Sequence, residues 1–179
     1  MRIVAGEFGG RRIAAPSGKE TRPTPERVRE ALFSMLGPLD GRTVLDLYAG
    51  SGALGIEALS RGAEWALLVD NSRRAIAAIE QNVQSLQIAE RIGWMDCSVS
   101  AALDRLGEDG HRFDVVFADP PYADAAKASR LLDEKLSGLL SPDAVIVTES
   151  DRRDPIELTV GQLDRERRYG DTLIRIFIS

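Results

Sequence analysis

The 179-residue sequence predicts an α/β fold, a mostly parallel seven-stranded sheet with crossover helices, and three observations predict it. From Thr43 onward short apolar runs alternate with helical patterns, as strands joined by helical crossovers must. The first of these runs ends in a glycine-spaced loop and the fourth in Asp119-Pro120-Pro121-Tyr122, so residues able to do chemistry collect where strands end. After Pro155 the segment IELTVGQLDRERRYGDTLIRIFIS reads as two further strands around a turn near Tyr169 and Gly170, which close the sheet by antiparallel pairing.

The elements follow in chain order. Residues 1–24 are rich in Gly, Arg and Pro, and two β-like stretches, Arg2 to Ala5 and Arg11 to Ala14, predict a small N-terminal β-hairpin and loop. This segment is an extension of the main domain, residues 25–179, and not an independent unit. Thr24 reads as a helix N-cap with Pro25 in the first helical position, and Val28, Leu32, Met35 and Leu36 share one face of the helix that follows. Five strands are predicted at 43–48 (TVLDLY), 65–70 (WALLVD), 92–96 (IGWMD), 113–119 (FDVVFAD) and 144–150 (AVIVTES). The clearest helix runs from Ser72 to about Leu86, capped by Asn71 or Ser72, with Ile76, Ile79, Val83 and Leu86 at helical spacing to cover one face of the sheet.

Composition removes several classes of function. With 44% hydrophobic and 28% charged residues the chain is an ordinary globular one, not a disordered or fibrous one. No apolar run reaches the roughly 18 residues of a membrane helix, and the N-terminus lacks the apolar stretch of a signal peptide, so the expected location is the cytoplasm. The single cysteine, Cys97, makes no internal disulfide, and with the single histidine, His111, it builds no common zinc site; no metal is expected. His111 lies in the polar stretch GEDGHRFD and reads as a loop residue. The net charge of −5 argues against coating nucleic acid by bulk electrostatics, yet residues 1–30 carry +3 and the remainder −8. A second basic knot, Arg165, Arg167 and Arg168 beside Tyr169, lies near the C-terminus. Alone, either cluster reads as solvated surface.

Gly50, Gly52 and Gly55 in DLYAGSGALG fit G-x-G-x-x-G between a strand and a helix, where glycines let a ligand approach the backbone. Asp70 follows 20 positions after Gly50, placed to accept hydrogen bonds from both hydroxyls of a ribose. These features suit a dinucleotide and S-adenosylmethionine alike. Asp46 and the small-residue loop Ala49-Gly50-Ser51-Gly52 favour S-adenosylmethionine, because a carboxylate there attracts a cationic cofactor and would repel a pyrophosphate. Asn71 extends the same rim beside Asp70. Asp96 and Cys97 end the third strand on it, where they can meet the adenine amino group and ring.

Asp119-Pro120-Pro121-Tyr122 is the sharpest signal in the chain. The prolines restrict their own torsions and those of the preceding residues, fixing the directions of the Asp119 carboxylate and the Pro120 carbonyl, and Tyr122 can offer a face to a planar ring. DLYAGSGALG, an acidic end to the second strand and DPPY together resemble the S-adenosylmethionine-dependent amino-methyltransferases of the Rossmann-like class I fold, whose (Asp/Asn)-Pro-Pro-(Tyr/Phe) motif holds an exocyclic NH2 of a base. Over nearly the whole chain, PSGKETRPTPERVREALFSML (16–36), GALGIEALSRGA (52–63) and YGDTLIRIF (169–177) resemble the RsmD family, the 16S rRNA (guanine(966)-N(2))-methyltransferases.

The resemblance implies methyl transfer to the 2-amino group of a guanine in 16S rRNA, within the 30S subunit or its precursor, by a protein expected to be a monomer. An aromatic amine is a poor nucleophile, since its lone pair is delocalised. If Asp119 and the Pro120 carbonyl each accept one N–H, the nitrogen is drawn toward tetrahedral geometry. A free Asp, with a pKa of about 3.9, is too weak a base to strip that amine first, so attack should precede deprotonation. Alignment can supply roughly 7 to 11 kcal/mol of the acceleration. Unstacking the base costs a few kcal/mol, of which stacking on Tyr122 returns about 1 to 3. The rest falls to RNA contacts, assigned to Arg11, Arg12, Arg22, Thr24, Arg27 and Arg29. The competing readings are an adenine-N6 DNA methyltransferase with a similar DPPY element, an NAD-dependent oxidoreductase supported only by the glycine spacing and Asp70, and an inactive RNA-binding scaffold.

Overall fold

The computed structural model describes residues 1–16 and 25–179; Arg22, Thr24 and the side chain of Tyr122 lie outside the described residues. The strands are β1 (Thr43–Leu47), β2 (Trp65–Asp70), β3 (Ile92–Asp96), β4 (Phe113–Ala118), β5 (Leu140–Asp151), β6 (Gln162–Tyr169) and β7 (Thr172–Ile178). The helices are α1 (Glu26–Leu36), α2 (Ala53–Ser60), α3 (Arg73–Leu86), α4 (Val99–Glu108) and α5 (Ala125–Lys135). They build a seven-stranded sheet in the order β3-β2-β1-β4-β5-β7-β6, in which β7 pairs antiparallel with both neighbours and alone runs against the rest.

Side-chain alternation along the buried strands sorts the core into two layers. Val44, Leu68, Phe117 and Val147 point toward α1, α2 and α3, against Leu32, Phe33, Ile56, Leu59, Ile79 and Val83. Leu45, Val69, Val116 and Ile146 point the other way, against Leu103 and Leu106 of α4 and Leu132 of α5. All four apolar residues that the sequence assigns to the α3 stripe, Ile76, Ile79, Val83 and Leu86, are buried in the first layer.

Several boundaries differ from the sequence expectation, each for a local reason. The helix after the N-terminal segment starts at Glu26, with Pro25 in the cap position in an extended conformation. Ser72 does cap α3 by position, but its side chain makes no capping bond; the Asp70 carboxylate accepts the Ser72 N–H at 2.8 Å instead. Strand β5 begins at Leu140, earlier than predicted, because Pro142 and Asp143 are absorbed by a register shift against β4. The hairpin reduces to one antiparallel bridge, Arg2 with Arg12, supported by Ile3 N–H to the Arg11 carbonyl (3.0 Å) and Gly10 N–H to the Ile3 carbonyl (2.9 Å).

That hairpin is docked into the main core. Ile3, Phe8 and Ile13 are buried in the first layer. Gly6 lies at φ +82°, and a Cβ there would fall 1.8 Å from the Ser60 carbonyl oxygen, so the chain passes α2 at a distance only glycine permits. Glu57 of α2, fully buried, accepts the Val4 N–H at 2.7 Å, the Ala5 N–H at 3.1 Å and the Arg61 Nε–H at 2.8 Å. The Ser60 hydroxyl accepts the Phe8 N–H at 2.9 Å and donates to the Ala5 carbonyl at 2.5 Å. Buried backbone donors need partners, and here side chains supply what a neighbouring strand would otherwise provide.

Candidate active site

Strand order reverses direction between β1 and β4, since β1, β2 and β3 are laid down toward one edge and β4 and β5 toward the other. Ligands of such sheets bind in the crevice outside the strand ends at that reversal. Both sequence motifs stand there. The glycine loop follows β1 and Asp119-Pro120-Pro121 follows β4, and the two strands pair in parallel register as far as Leu47 with Ala118. Neighbouring strands lie roughly 4.8 Å apart, so the two motifs leave the sheet side by side.

The loop is fastened from beneath. Ala49 N–H donates to the Val69 carbonyl at 3.0 Å, Gly52 N–H to the Ala49 carbonyl at 2.7 Å, and Gly50 N–H to Asp70 Oδ2 at 2.8 Å. Asp70 thus uses one oxygen on the loop and the other on Ser72, which fixes its carboxylate at the end of β2. Tyr48 enters the loop at φ +61°, a conformation that bulky residues rarely hold, and Gly52 leaves it at φ +76°. A Cβ on Gly52 would meet Leu68 Cδ1 at 2.7 Å.

Asp46 lies 1% exposed under the loop, and its Oδ2 accepts the Gly55 N–H of α2 at 2.9 Å. Burial pushes its carboxyl up to about 7; the Gly55 N–H opposes that shift and the nearby Asp70 carboxylate adds to it. Asp96 pairs in register with Asp70, so the two carboxylate-bearing strand ends are neighbours, and Asn71 is exposed beside them. Burial, and then the Asp96 charge, push the Cys97 thiol up, against the Arg105 charge, which lowers it.

On the β4 side Pro120 is buried, Asp119 half-buried and Pro121 exposed. The Pro121 carbonyl accepts the Asp124 N–H at 2.8 Å, closing the short 3-10 turn Tyr122–Asp124 that leads into α5. The motif is therefore clamped between a buried proline and a hydrogen-bonded turn.

The arginines assigned to RNA separate. Arg27 is exposed in the first turn of α1. That turn lies beside the glycine loop, because the Arg2 N–H donates to Glu26 Oε1 at 3.1 Å and the adjoining Met1 sulfur meets the Ser51 hydroxyl at 3.5 Å. Arg12 is exposed and bridged to Arg2, so it stands toward the same end. Arg11 is exposed but reaches back to the Ser85 carbonyl in the last turn of α3 at 2.6 Å. Arg29 corrects the sequence assignment. It is 1% exposed, and its guanidinium donates to the Arg2 carbonyl, so it fastens the hairpin to α1 and presents no surface to RNA. Burial lowers its pKa, opposed by Glu57 and then Glu26.

Residues that the sequence reading passed over fasten the hairpin beside the site. The buried Asn82 of α3 bonds both the hairpin and the glycine loop, and Glu57 and Ser60 hold the hairpin on α2. Their signal was present, since each is a polar residue on the apolar face of its helix. The C-terminal basic knot is a solvated surface: Arg168 pairs with Glu166, Arg165 with Asp164, and Arg165 also donates to the Met35 carbonyl.

Comparison with known proteins places these features in a lineage. A family model described as Conserved hypothetical protein 95 matches residues 1–178. A Bacillus subtilis protein named "Putative rRNA methyltransferase YlbH" is 38% identical, over 99% of this chain and 98% of its own length. The Ribosomal RNA small subunit methyltransferase D of Escherichia coli K12 is 33% identical, over 99% of this chain and 89% of its own. The solved structure of hypothetical protein TTHA0928 from Thermus thermophilus superposes with a TM-score of 0.84 at 31% identity, over 99% of this chain and 98% of that one.

Proposed function

We propose, on the premise that the chain belongs to the family described as Conserved hypothetical protein 95, that of ribosomal RNA small subunit methyltransferase D, that it methylates the exocyclic N2 amine of a guanine in 16S rRNA on assembled or assembling 30S particles. The observation that carries the reading is the convergence of a glycine loop and an Asp-Pro-Pro-Tyr element on one crevice, at the β1/β4 reversal of a class I methyltransferase sheet.

The residues present fit S-adenosylmethionine. A Cβ on Gly50 would meet no atom within 4 Å, so the space above the loop is open. Asp70 and Asp96 supply acceptors for ribose and adenine, Asn71 and Cys97 flank them, and Ala49, Gly50, Ser51 and Gly52 line the cradle, with the Asp46 carboxylate beneath it favouring positive charge. When bound, the cofactor supplies an electrophilic methyl group on a sulfonium. The chain's own task is to make the amine receptive. Asp119 and the Pro120 carbonyl accept its two N–H groups and turn the lone pair toward the loop, while Tyr122 stacks on the base. After the fourth bond forms on nitrogen, Asp119 or a water takes the proton. Pro121 holds these acceptors still, and fixed orientation is the largest contribution available.

Residues 1–24 form the RNA-facing extension of the 25–179 domain. Among the described residues, Arg12 and Arg27 lie on the side of the glycine loop and Arg11 flanks them; Arg22 and Thr24 join the proposal from the sequence alone. A chain with net charge −5 binds short naked RNA weakly, which favours a folded ribonucleoprotein as substrate. The test is incubation of purified protein with radiolabelled S-adenosylmethionine and immature 30S particles, followed by nucleoside analysis. N2-methylguanosine is expected, N6-methyladenosine would redirect the reading to adenine, and Asp119→Ala is expected to lose turnover while still binding the cofactor.

A further inference from the structure

Asn82 sits in the middle of α3, 1% exposed, on the helix face that packs against the sheet. Its amide is fully engaged, and its partners belong to two different parts of the site. Oδ1 accepts the Ala14 N–H at 2.7 Å, and Nδ2 donates both to the Ala14 carbonyl at 3.1 Å and to the Ser51 carbonyl at 2.9 Å. Ala14 belongs to the returning arm of the hairpin, the arm that carries Arg11 and Arg12. Ser51 is the centre of the cofactor loop. One turn further along α3, the Ser85 carbonyl holds Arg11.

A second contact links the same two parts. The Ser51 hydroxyl donates to the Met1 sulfur at 3.5 Å, and the Met1 ammonium donates to the Ile13 carbonyl at 3.2 Å. The hairpin therefore touches the loop through its own end as well as through Asn82. A planar amide with three fixed bonds transmits displacement, because moving the Ser51 carbonyl breaks or tightens a bond whose other atoms grip Ala14. The alternative, a buried amide with one arm unpaired, is strongly disfavoured.

We propose that Asn82 is a positioning residue that couples the cofactor loop to the RNA-facing hairpin, so that filling the loop stiffens the hairpin and RNA on the hairpin tightens the loop's hold on its ligand. This rests on the reading of the hairpin as the RNA face. Linkage requires the effect to be reciprocal.

The test has two arms. In the first, amide exchange of the wild-type protein is followed by NMR with and without S-adenosylhomocysteine. The Ala14 amide is expected to slow at least about fivefold, while the Arg42 amide, bonded to the Leu39 carbonyl away from the loop, stays unchanged. In the second, the affinity for S-adenosylhomocysteine is measured with and without purified 30S particles. Wild type is expected to bind the ligand several-fold tighter with 30S present. Asn82→Asp keeps the acceptor for Ala14 and removes both donors; it and Asn82→Ala are expected to lose that enhancement while still binding the ligand alone. An unchanged Ala14 amide, or an enhancement that survives in Asn82→Ala, would overturn the proposal. The first arm needs no RNA and no variant. It decides the coupling even if a variant does not fold, and a failure of 30S to bind wild type at all would count against the RNA reading instead.

Discussion

Replacing Asp46 by Asn probes a carboxyl buried beneath the glycine loop. The carboxyl is 1% exposed, and burial raises its pKa from 3.8 to about 7. The folded-state value lies above the unfolded one, so the folded chain binds the extra proton. The stability that this proton confers is whole below about pH 4 and is lost as pH rises through about 7. A displacement of about three pH units at about 1.4 kcal/mol each gives an upper bound of roughly 4 kcal/mol for ionising the group in place. Asn has the same shape, keeps an acceptor for the Gly55 N–H and does not titrate. Asp46→Asn should therefore match wild type near pH 4 and exceed it increasingly toward neutral pH, by up to about 4 kcal/mol, in urea unfolding followed by circular dichroism. Asp114 and Glu166, whose pKa values are lowered, titrate equally in both proteins and cancel in the difference. The same variant should bind S-adenosylmethionine more weakly, because the negative charge beneath a cationic ligand is gone. A stability difference that stays flat from acid to neutral pH would refute the reasoning.

Further expectations follow from the loop, the docking contacts and the arginines. Gly52→Ala forces a side chain into φ +76° with Leu68 at 2.7 Å, and should lose about 1 to 3 kcal/mol in urea unfolding together with affinity for S-adenosylhomocysteine. Glu57→Ala strips the partly buried Val4 and Ala5 amides of their acceptor, so trypsin should cut after Arg11 and Arg12 many times faster while the sheet core resists. The pair Arg12→Ala and Arg27→Ala should reduce methylation of 30S particles without changing affinity for S-adenosylhomocysteine in a fluorescence titration. Arg29→Ala should instead lower the thermal midpoint, because its guanidinium ends on a backbone carbonyl inside the protein.

The sheet was legible because parallel strands buried on both faces must be continuous apolar runs, and every predicted run carries a strand. The glycine loop and Asp-Pro-Pro were legible because few packing roles need such residues together. What escaped was held by partners distant in sequence. Arg29 looks like a surface cation until its acceptor, the carbonyl of Arg2, is brought beside it by folding. Even so, it lies one turn before Phe33 on the buried stripe that holds Val28 and Leu32, which marked it as inward-facing. Glu57 and Asn82 escaped for the same reason, since the backbone groups they satisfy lie 53 and 68 residues away. The early start of β5 was hidden by Pro142 and by Asp143 at φ +57°, which resemble a loop to any local rule.

The docking of the hairpin also bears on the order in which the molecule assembles. Residues 1–14 are synthesised before the side chains that secure them, since Glu57, Ser60 and Asn82 follow their partners by 52 to 68 residues. This stretch therefore waits, unsupported, until both flanking helices have emerged, and contacts between such distant partners close slowly. Half of its residues are apolar, Ile3, Phe8 and Ile13 among them, so the waiting segment exposes in the interim surface that the folded core later covers.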